Sequence, residues 1–177
     1  MASDIDWSAD VFREMRARGI ATVCTVPDGG LTKLLDRVAA ERAMRLVTLT
    51  TEEEGIGIAT GCWLGGGRAM IAMQSSGVGN CINALGLPAA YRAPCLMLVT
   101  MRGQWGEFNP WQVPMGEGTP RVLETMGVQV RQAGEPQAVA AHVKLALTRA
   151  FEAHAAEAVL IAQKVIGIKS FQEQRNQ

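Results

Sequence analysis

The chain has 177 residues, of which 48% are apolar, and its 17 basic and 17 acidic side chains cancel to zero net charge. This composition supplies the core of a single globular domain and excludes intrinsic disorder. A neutral chain without a basic run excludes nucleic acid as the main partner, and it suits a subunit that buries surface in an oligomer.

Helices and strands alternate along the first part of the chain. Apolar residues spaced three to four apart indicate helices, whereas short β-branched runs bounded by glycine and proline are typical of strands. In chain order we predict a helix over 6–18, a strand over 20–26, a turn over 27–30, a helix over 31–44, a strand over 45–50 and a helix over 52–65.

The same alternation continues to the end of the chain, with one interruption. Prolines, glycines and two tryptophans without periodicity predict a long loop after the fourth strand. We predict a strand over 69–74, a turn over 75–80, a helix over 80–91, a strand over 94–101, the loop over 102–119, a strand over 128–131, a helix over 136–153 and a strand over 158–163.

Continuously apolar strands that alternate with helices indicate a parallel sheet covered on both faces. With right-handed crossovers, the pattern predicts an α/β fold, a three-layer αβα sandwich around a doubly wound parallel sheet of about six strands. We expect one domain over residues 1–170 and a polar tail over 171–177. Ligands of such sheets bind at the carboxyl ends of the strands, where the strand order reverses.

The sequence also bears on the compartment in which the protein works. No apolar run reaches the roughly 18–20 residues of a transmembrane helix, so we expect no membrane contact. The polar, acidic start of the chain is unlike a signal peptide. Cys24, Cys62, Cys81 and Cys95 form no Cys-x-x-Cys pair and lack a nearby histidine, so we expect reduced, buried thiols, no metal site and a cytoplasmic protein.

Three segments at the predicted ligand-binding edge are unusual. Glutamates at 52–54 begin a helix of small residues. Each glycine in this helix costs about 1 kcal/mol of helix stability relative to alanine, so the glycines need a compensating close contact with a ligand or another helix. A glycine-rich turn at 75–80 has the form of an anion cradle, but it lacks the third glycine of Gly-x-Gly-x-x-Gly and a P-loop lysine. The aromatic residues of the loop at 102–119 either cover a substrate or bury against a second chain.

The acid–base groups available at this edge are carboxylates. His142 and His154 lie far along the sequence from every candidate turn, which argues against a histidine-dependent hydrolase. The glutamates at 52–54 and Glu107 remain as the groups able to move protons.

Four segments of the chain together carry a specific combination of motifs. They are Val-Pro-Asp-Gly at 26–29, Glu-Glu-Glu-Gly-Ile-Gly-Ile-Ala-Thr-Gly at 52–61, Met-Gln-Ser-Ser-Gly-Val-Gly-Asn at 73–80, and Arg-Gly-x-Trp-Gly-Glu with Pro-x-Gln-x-Pro-Met-Gly at 102–116. The combination resembles the pyrimidine-binding domain of the thiamine-diphosphate-dependent decarboxylases. The likeness spans about residues 8–168 and is greatest to sulfopyruvate decarboxylase α subunits, with phosphonopyruvate decarboxylases next.

The resemblance implies a carboxy-lyase for a small 2-oxo acid with an anionic head group, sulfopyruvate first, as in coenzyme M biosynthesis. In that family a glutamate at a helix start hydrogen-bonds N1′ of the cofactor's aminopyrimidine. Counting back nine residues from Gly61, the family's spacing, gives Glu52, with Glu53 as the second candidate. The other residues implied on the pyrimidine side of the cleft are Ser75, Ser76, Gly77 and Asn80.

The resemblance further implies a set of residues at the substrate end of the cleft. They are Asp28 and Gly29, and we add the side chains of Arg102, Gln104 and Gln112 because they lie at the same predicted edge of the sheet. Cationic and amide donors suit a substrate that carries a carboxylate and a sulfonate. For Arg102, an ion pair with Glu107 in its own loop is the alternative.

Half of the family's cofactor site is missing from the sequence. The relatives hold the diphosphate and Mg²⁺ through Gly-Asp-Gly followed downstream by Asn-Asn, and this chain contains neither motif. The resemblance therefore implies that a β subunit supplies the diphosphate and Mg²⁺ half-site, with the active site at the α–β interface of a hetero-oligomer. A non-catalytic α/β module that binds a partner or a regulator is the alternative from another functional class.

Overall fold

A parallel sheet of six strands forms the centre of the computed structural model, which describes residues 5–167. The strands are β1 (Thr22–Thr25), β2 (Arg45–Thr48), β3 (Ala69–Gln74), β4 (Cys95–Thr100), β5 (Gln129–Ala133) and β6 (Ala156–Ile161). Their order across the sheet is β2-β1-β3-β4-β6-β5, and every neighbouring pair is parallel. The predicted tail at 171–177 lies outside the described residues.

Eight α-helices in the described part of the chain cover the two faces of this sheet. They are α1 (Trp7–Ala17), α2 (Thr32–Ala40), α3 (Glu52–Leu64), α4 (Ser75–Cys81), α5 (Gly86–Tyr91), α6 (Val113–Thr125), α7 (Pro136–Ala153) and α8 (Gln163–Ile166). Helices α1, α2 and α7 pack on one face, whereas α3, α4 and α6 pack on the other. The predicted three-layer αβα sandwich is therefore confirmed.

The two hydrophobic cores follow from the alternation of side chains along the central strands. Met70 and Ala72 of β3 join the core beneath α1, α2 and α7, whereas Ile71 and Met73 join the core beneath α3, α4 and α6. Every residue of β4 is buried. Both strands are apolar at successive positions because each face of a covered parallel sheet is an interior surface.

The strand order reverses between β1 and β3, which are neighbours in the sheet. The chain leaving β1 enters α2 on one face, whereas the chain leaving β3 enters α4 on the opposite face. The two exits diverge and leave a crevice at the carboxyl ends of these strands, which is the usual ligand position in an open α/β sheet.

The prediction was wrong in two regions of the chain. The predicted turn at 75–80 is helix α4, and the predicted helix at 80–91 is divided between α4 and α5. The predicted loop at 102–119 is irregular only as far as residue 109, after which a 3₁₀ turn (Pro110–Gln112) leads into α6. In both cases glycine favoured a loop locally, but close packing of backbone against a neighbouring element favours the helix.

The cysteines are unpaired, as predicted, but they are not all buried. Cys24, Cys81 and Cys95 lie in the core, whereas Cys62 is half-buried. Burial raises the pKa of Cys24 to about 11 and that of Cys95 to about 12, so these thiols are protonated at neutral pH. Among residues 5–167, every helix is too short or too polar to span a membrane.

Candidate active site

The three glutamates at the start of α3 have different environments. Glu52 is 8% exposed, whereas Glu53 and Glu54 lie on the outer side of the helix. The Glu54 carboxylate accepts a hydrogen bond from the backbone N–H of Thr50 at 2.9 Å. Glu52 lies in the first turn after Thr51, where the positive end of the helix dipole stabilises its negative charge.

Helix α4 surrounds the buried carboxylate of Glu52. Asn80 Nδ2 donates to Glu52 Oε2 at 2.8 Å, and among residues 5–167 nothing donates to Oε1. A Cβ placed on Gly77 would lie 2.2 Å from Oε1 and 2.4 Å from Cδ of Glu52, so the carboxylate rests directly on the backbone of α4. The structure thus brings together Glu52, Gly77 and Asn80 and leaves the second carboxylate oxygen of Glu52 without a donor among residues 5–167.

Packing against Glu52 explains why the glycine-rich segment is a helix and not a turn. The carboxylate needs a position without a side chain at Gly77, and a helix holds that position at a fixed distance. Cys81, one turn further along α4, is buried beside the same charge. Burial first, and the negative charges of Glu52 and Glu53 next, raise the pKa of the Cys81 thiol to about 12.

The glycines of α3 do not share one face of the helix. Gly55 lies against Leu49 and Ile71, so its missing side chain lets the helix approach the sheet. Gly57 and Gly61 point into open space. Positions two residues apart lie about 200° apart around a helix, which separates the two sets.

A second buried carboxylate, Asp28, joins the carboxyl ends of the three central strands. Asp28 Oδ1 accepts from Gln74 Nε2 at 2.9 Å, and Oδ2 accepts from Thr100 Oγ1 at 2.9 Å and from the N–H of Gly30 at 3.1 Å. Ser76 Oγ donates to Gln74 Oε1 at 2.8 Å. Gln74 and Thr100 were not predicted as site residues, although each is the last residue of its strand and therefore lies at this edge.

The segment 102–112, here called the aromatic loop, is held by a buried ion pair. Arg102 Nε and Nη2 donate to the two carboxylate oxygens of Glu107, each at 2.6 Å. The two side chains are 7% and 2% exposed. Glu107 also accepts from the N–H of Gly103, the N–H of Asn109 and the amide of Gln163.

These contacts commit most of the residues that were implied for the substrate. The guanidinium of Arg102 pairs with Glu107, which was the alternative for this residue. Gln104 and Gln163 exchange two hydrogen bonds, from each backbone N–H to the other side-chain oxygen, at 2.9 and 2.8 Å. Gln112 differs, because within the described residues its Oε1 is buried without a hydrogen-bond partner.

The aromatic loop is joined to the rest of the candidate site by its first residue and by α6. The N–H of Arg102 donates to Ser75 Oγ at 3.0 Å, so this serine supports the loop. A Cβ on Gly116 would lie 2.1 Å from the carbonyl oxygen of Arg102, and this close approach holds α6 against the loop. Pro114 is compatible with that helix because it stands in the first turn.

Replacing Glu107 tests the role of the buried pair. We expect Glu107→Gln to lower the free energy of unfolding by about 3–5 kcal/mol, since Arg102 then stays buried without a charged partner. Urea denaturation of the chain at pH 7 measures the difference. Glu117→Gln, which changes an exposed acid of α6, is the control and should stay within about 0.5 kcal/mol of the wild type.

The same pair predicts a pH dependence. Hydrogen bonds from Arg102 and from two backbone N–H groups outweigh burial and lower the pKa of Glu107 from its usual 4.5 to about 2. Because the pKa in the folded state lies below the unfolded value, the stabilisation is complete above about pH 4.5 and is lost as the pH falls towards 2. The difference in free energy of unfolding between wild type and Glu107→Gln should therefore decrease as the pH falls from about 4.5 to about 2. An undiminished difference at about pH 2 would contradict the lowered pKa of Glu107.

Comparison with known proteins identifies the family to which this chain belongs. Residues 5–108 match the model of the N-terminal TPP binding domain of thiamine pyrophosphate enzymes. The sulfopyruvate decarboxylase subunit alpha of Methanothermobacter thermautotrophicus is 38% identical over 133 residues, which cover 75% of this chain and 81% of that one. The subunit of the same name from Methanococcus maripaludis is 37% identical over 122 residues, which cover 68% and 73%.

Two further similarities involve longer proteins. Phosphonopyruvate decarboxylase from Streptomyces viridochromogenes is 40% identical over 119 residues, but the match covers only 30% of its length. A solved 2-oxoglutarate:ferredoxin oxidoreductase from Magnetococcus marinus superposes on 88% of this chain and 28% of its own, with a TM-score of 0.68 and 16% identity, which supports the fold alone. On the sequence matches, this chain belongs to the thiamine pyrophosphate enzymes, in the family of the sulfopyruvate decarboxylase α subunits.

Proposed function

We propose that this chain is the α subunit of a thiamine-diphosphate-dependent decarboxylase that converts 3-sulfopyruvate to sulfoacetaldehyde and carbon dioxide. The observation that carries the proposal is the buried carboxylate of Glu52, with one oxygen held by Asn80 and the other uncommitted over Gly77. The relatives named sulfopyruvate decarboxylase subunit alpha support the substrate class.

The residues present fit the pyrimidine half of thiamine diphosphate. An N–H of the aminopyrimidine requires a desolvated acceptor, and Glu52 Oε1 is an acceptor that has no donor among residues 5–167. Gly77 removes the side chain that would otherwise occupy the position of this carboxylate. Ser75 and Ser76 contribute indirectly, since their hydroxyl groups bind Arg102 and Gln74.

Glu52 and Asn80 have different tasks in the proposed reaction. When bound, thiamine diphosphate would supply the electron sink that accepts the electron pair left behind when a 2-oxo acid loses carbon dioxide. Glu52 holds the proton at N1′ of the pyrimidine and thereby sets the protonation state of the ring. Asn80 fixes the orientation of that carboxylate, and its hydrogen bond to Oε2 leaves Oε1 as the oxygen that faces the ring.

The substrate end of the cleft has few free donors on this chain. The guanidinium of Arg102 pairs with Glu107, and Gln104 accepts from Gln163 through Oε1, which leaves the Nε2 donors of Gln104 and Gln112 for an anionic head group. We retain Asp28 and Gly29 as proposed residues of the substrate end, where hydrogen bonds from Gln74 and Thr100 fix the carboxylate of Asp28. The remaining positive charge for the substrate is then expected from the partner chain.

The β subunit is part of the proposal because this chain carries only half of a cofactor site. Among residues 5–167, no group of three His, Cys, Asp or Glu side chains is arranged to hold a metal ion. The sequence lacks Gly-Asp-Gly and Asn-Asn, so we assign the diphosphate and Mg²⁺ to the partner. The unpaired cysteines support a reducing compartment, the cytoplasm, as the place of assembly.

Carbon dioxide release tests this function. The assay combines the chain with thiamine diphosphate, Mg²⁺ and a candidate β subunit, defined as a chain that contains the Gly-Asp-Gly and Asn-Asn motifs. It compares sulfopyruvate, phosphonopyruvate and pyruvate at equal concentration. We expect turnover of sulfopyruvate that requires both chains. Two phosphonopyruvate decarboxylases are 40% identical to this chain over the matched residues. A preference for phosphonopyruvate would therefore change the proposed head group of the substrate from sulfonate to phosphonate. No release from any of the three would favour the non-catalytic module.

A further inference from the structure

Two tryptophans of the aromatic loop are almost fully exposed. Trp105 is 80% exposed and Trp111 is 82% exposed, and Phe108 between them is 41% exposed. A tryptophan side chain buries some 150–250 Å² when it is covered, so two such side chains in water leave a large apolar area uncovered. Both side chains belong to the aromatic loop, and exposed apolar area concentrated on one segment indicates an interaction site.

The backbone that carries these tryptophans is fixed by internal contacts. The buried Arg102–Glu107 pair closes the loop, and the Gln104–Gln163 exchange ties it to α8. Asn109 caps the 3₁₀ turn by accepting from the N–H of Trp111 at 3.2 Å. The segment that carries the exposed rings is therefore ordered before a partner binds. Its backbone loses little conformational entropy on binding.

The aromatic loop adjoins the half of the active site that this chain supplies. The N–H of Arg102, the first residue of the loop, donates to Ser75 at the start of α4. Met115 of α6, the helix that follows the loop, lies against Gly79 of α4. Asn80, the next residue of α4, holds Glu52. A chain that brings the diphosphate half-site to Glu52 must approach this same edge of the sheet.

We propose that Trp105 and Trp111 are the docking surface for the partner chain that carries the diphosphate half-site. This inference rests on the proposed function, because it takes its occupant from the incomplete cofactor site. A second copy of this chain is a poorer occupant, since it would bring another pyrimidine half-site and leave the active site incomplete. Tryptophans in the centre of an interface dominate its affinity, so these two side chains should control assembly.

Binding of the candidate β subunit, a chain that contains Gly-Asp-Gly and Asn-Asn, to the full chain tests the surface. The variants are Trp105→Ala, Trp111→Ala and the double substitution, with affinity measured by calorimetry. We expect the double variant to raise Kd by at least about 100-fold, the loss typical of two interface hot spots. Tyr91→Ala, which removes an aromatic side chain that is 58% exposed next to the amino end of β4, is the matched control and should leave Kd unchanged.

The outcomes separate this inference from the proposed function. Binding that depends on the tryptophans, in a complex that decarboxylates nothing, would support the docking surface and overturn the function. Wild-type affinity in the double variant, with the melting temperature unchanged, would overturn the docking surface. The docking surface would also be overturned if the candidate β subunit does not bind, or if sedimentation shows that the tryptophans instead pair two copies of this chain.

Discussion

Glu52→Gln in the assembled enzyme should lower kcat by about 10²–10⁴-fold, the range for the loss of one positioned acid–base group. The substitution keeps the length of the side chain and an oxygen for Asn80, so the hydrogen bond at 2.8 Å has a replacement acceptor. What it removes, on the proposed function, is the negative charge that would hold a proton on the pyrimidine. The expected result is therefore a folded chain that binds its partner but turns over slowly.

Glu53→Gln is the matched control for this measurement. Glu53 stands one position further along the same helix, with the same residue type, but its side chain is exposed. We expect kcat within a factor of about two, since exposed substitutions have small effects. Equal losses in both variants would show a general effect of charge at the helix start, and a loss confined to Glu53→Gln would move the catalytic role to that residue.

The fold could be predicted because the strands that matter most are unambiguous in the sequence. The runs at 69–74 and 94–101 are apolar at nearly every position, which only a sheet covered on both faces accommodates. Their place at the centre of the sheet, as β3 and β4, follows from that burial. The helix α7 was equally clear, since Val139, Val143 and Leu147 repeat at helical spacing.

The candidate site was less predictable because its geometry depends on contacts between distant segments. The glycines of 75–80 favour a turn when only local preference is considered, and the carboxylate of Glu52 that fixes them in a helix lies more than twenty residues away. The sequence could not decide whether Arg102 faces the substrate or Glu107, because that choice depends on burial, which the local sequence does not show. Both side chains are buried, so leaving either charge unpaired would be costly, and this favours their pairing.

The contact between Gly77 and Glu52 leads to the second large effect. Gly77→Ala places a methyl group within 2.2–2.6 Å of Oε1, Cδ and Cγ of Glu52. The carboxylate is the flexible end of a side chain and can move, so we expect the helix to survive with a free energy of unfolding within about 1 kcal/mol of the wild type. The displaced carboxylate, however, no longer faces the pyrimidine, and kcat should fall by about 10²-fold or more.

Two further variants decide whether that loss arises through Glu52. Gly79→Ala lies in the same helix, where the new methyl group would meet only Met115 Sδ at 3.5 Å, an ordinary contact, so turnover should be retained. In a double-variant cycle, adding Gly77→Ala to Glu52→Gln should cost little more, because both changes remove the same interaction. Fully additive losses in kcat would mean that Gly77 serves the cofactor directly, and the uncommitted oxygen over its backbone would then need another explanation.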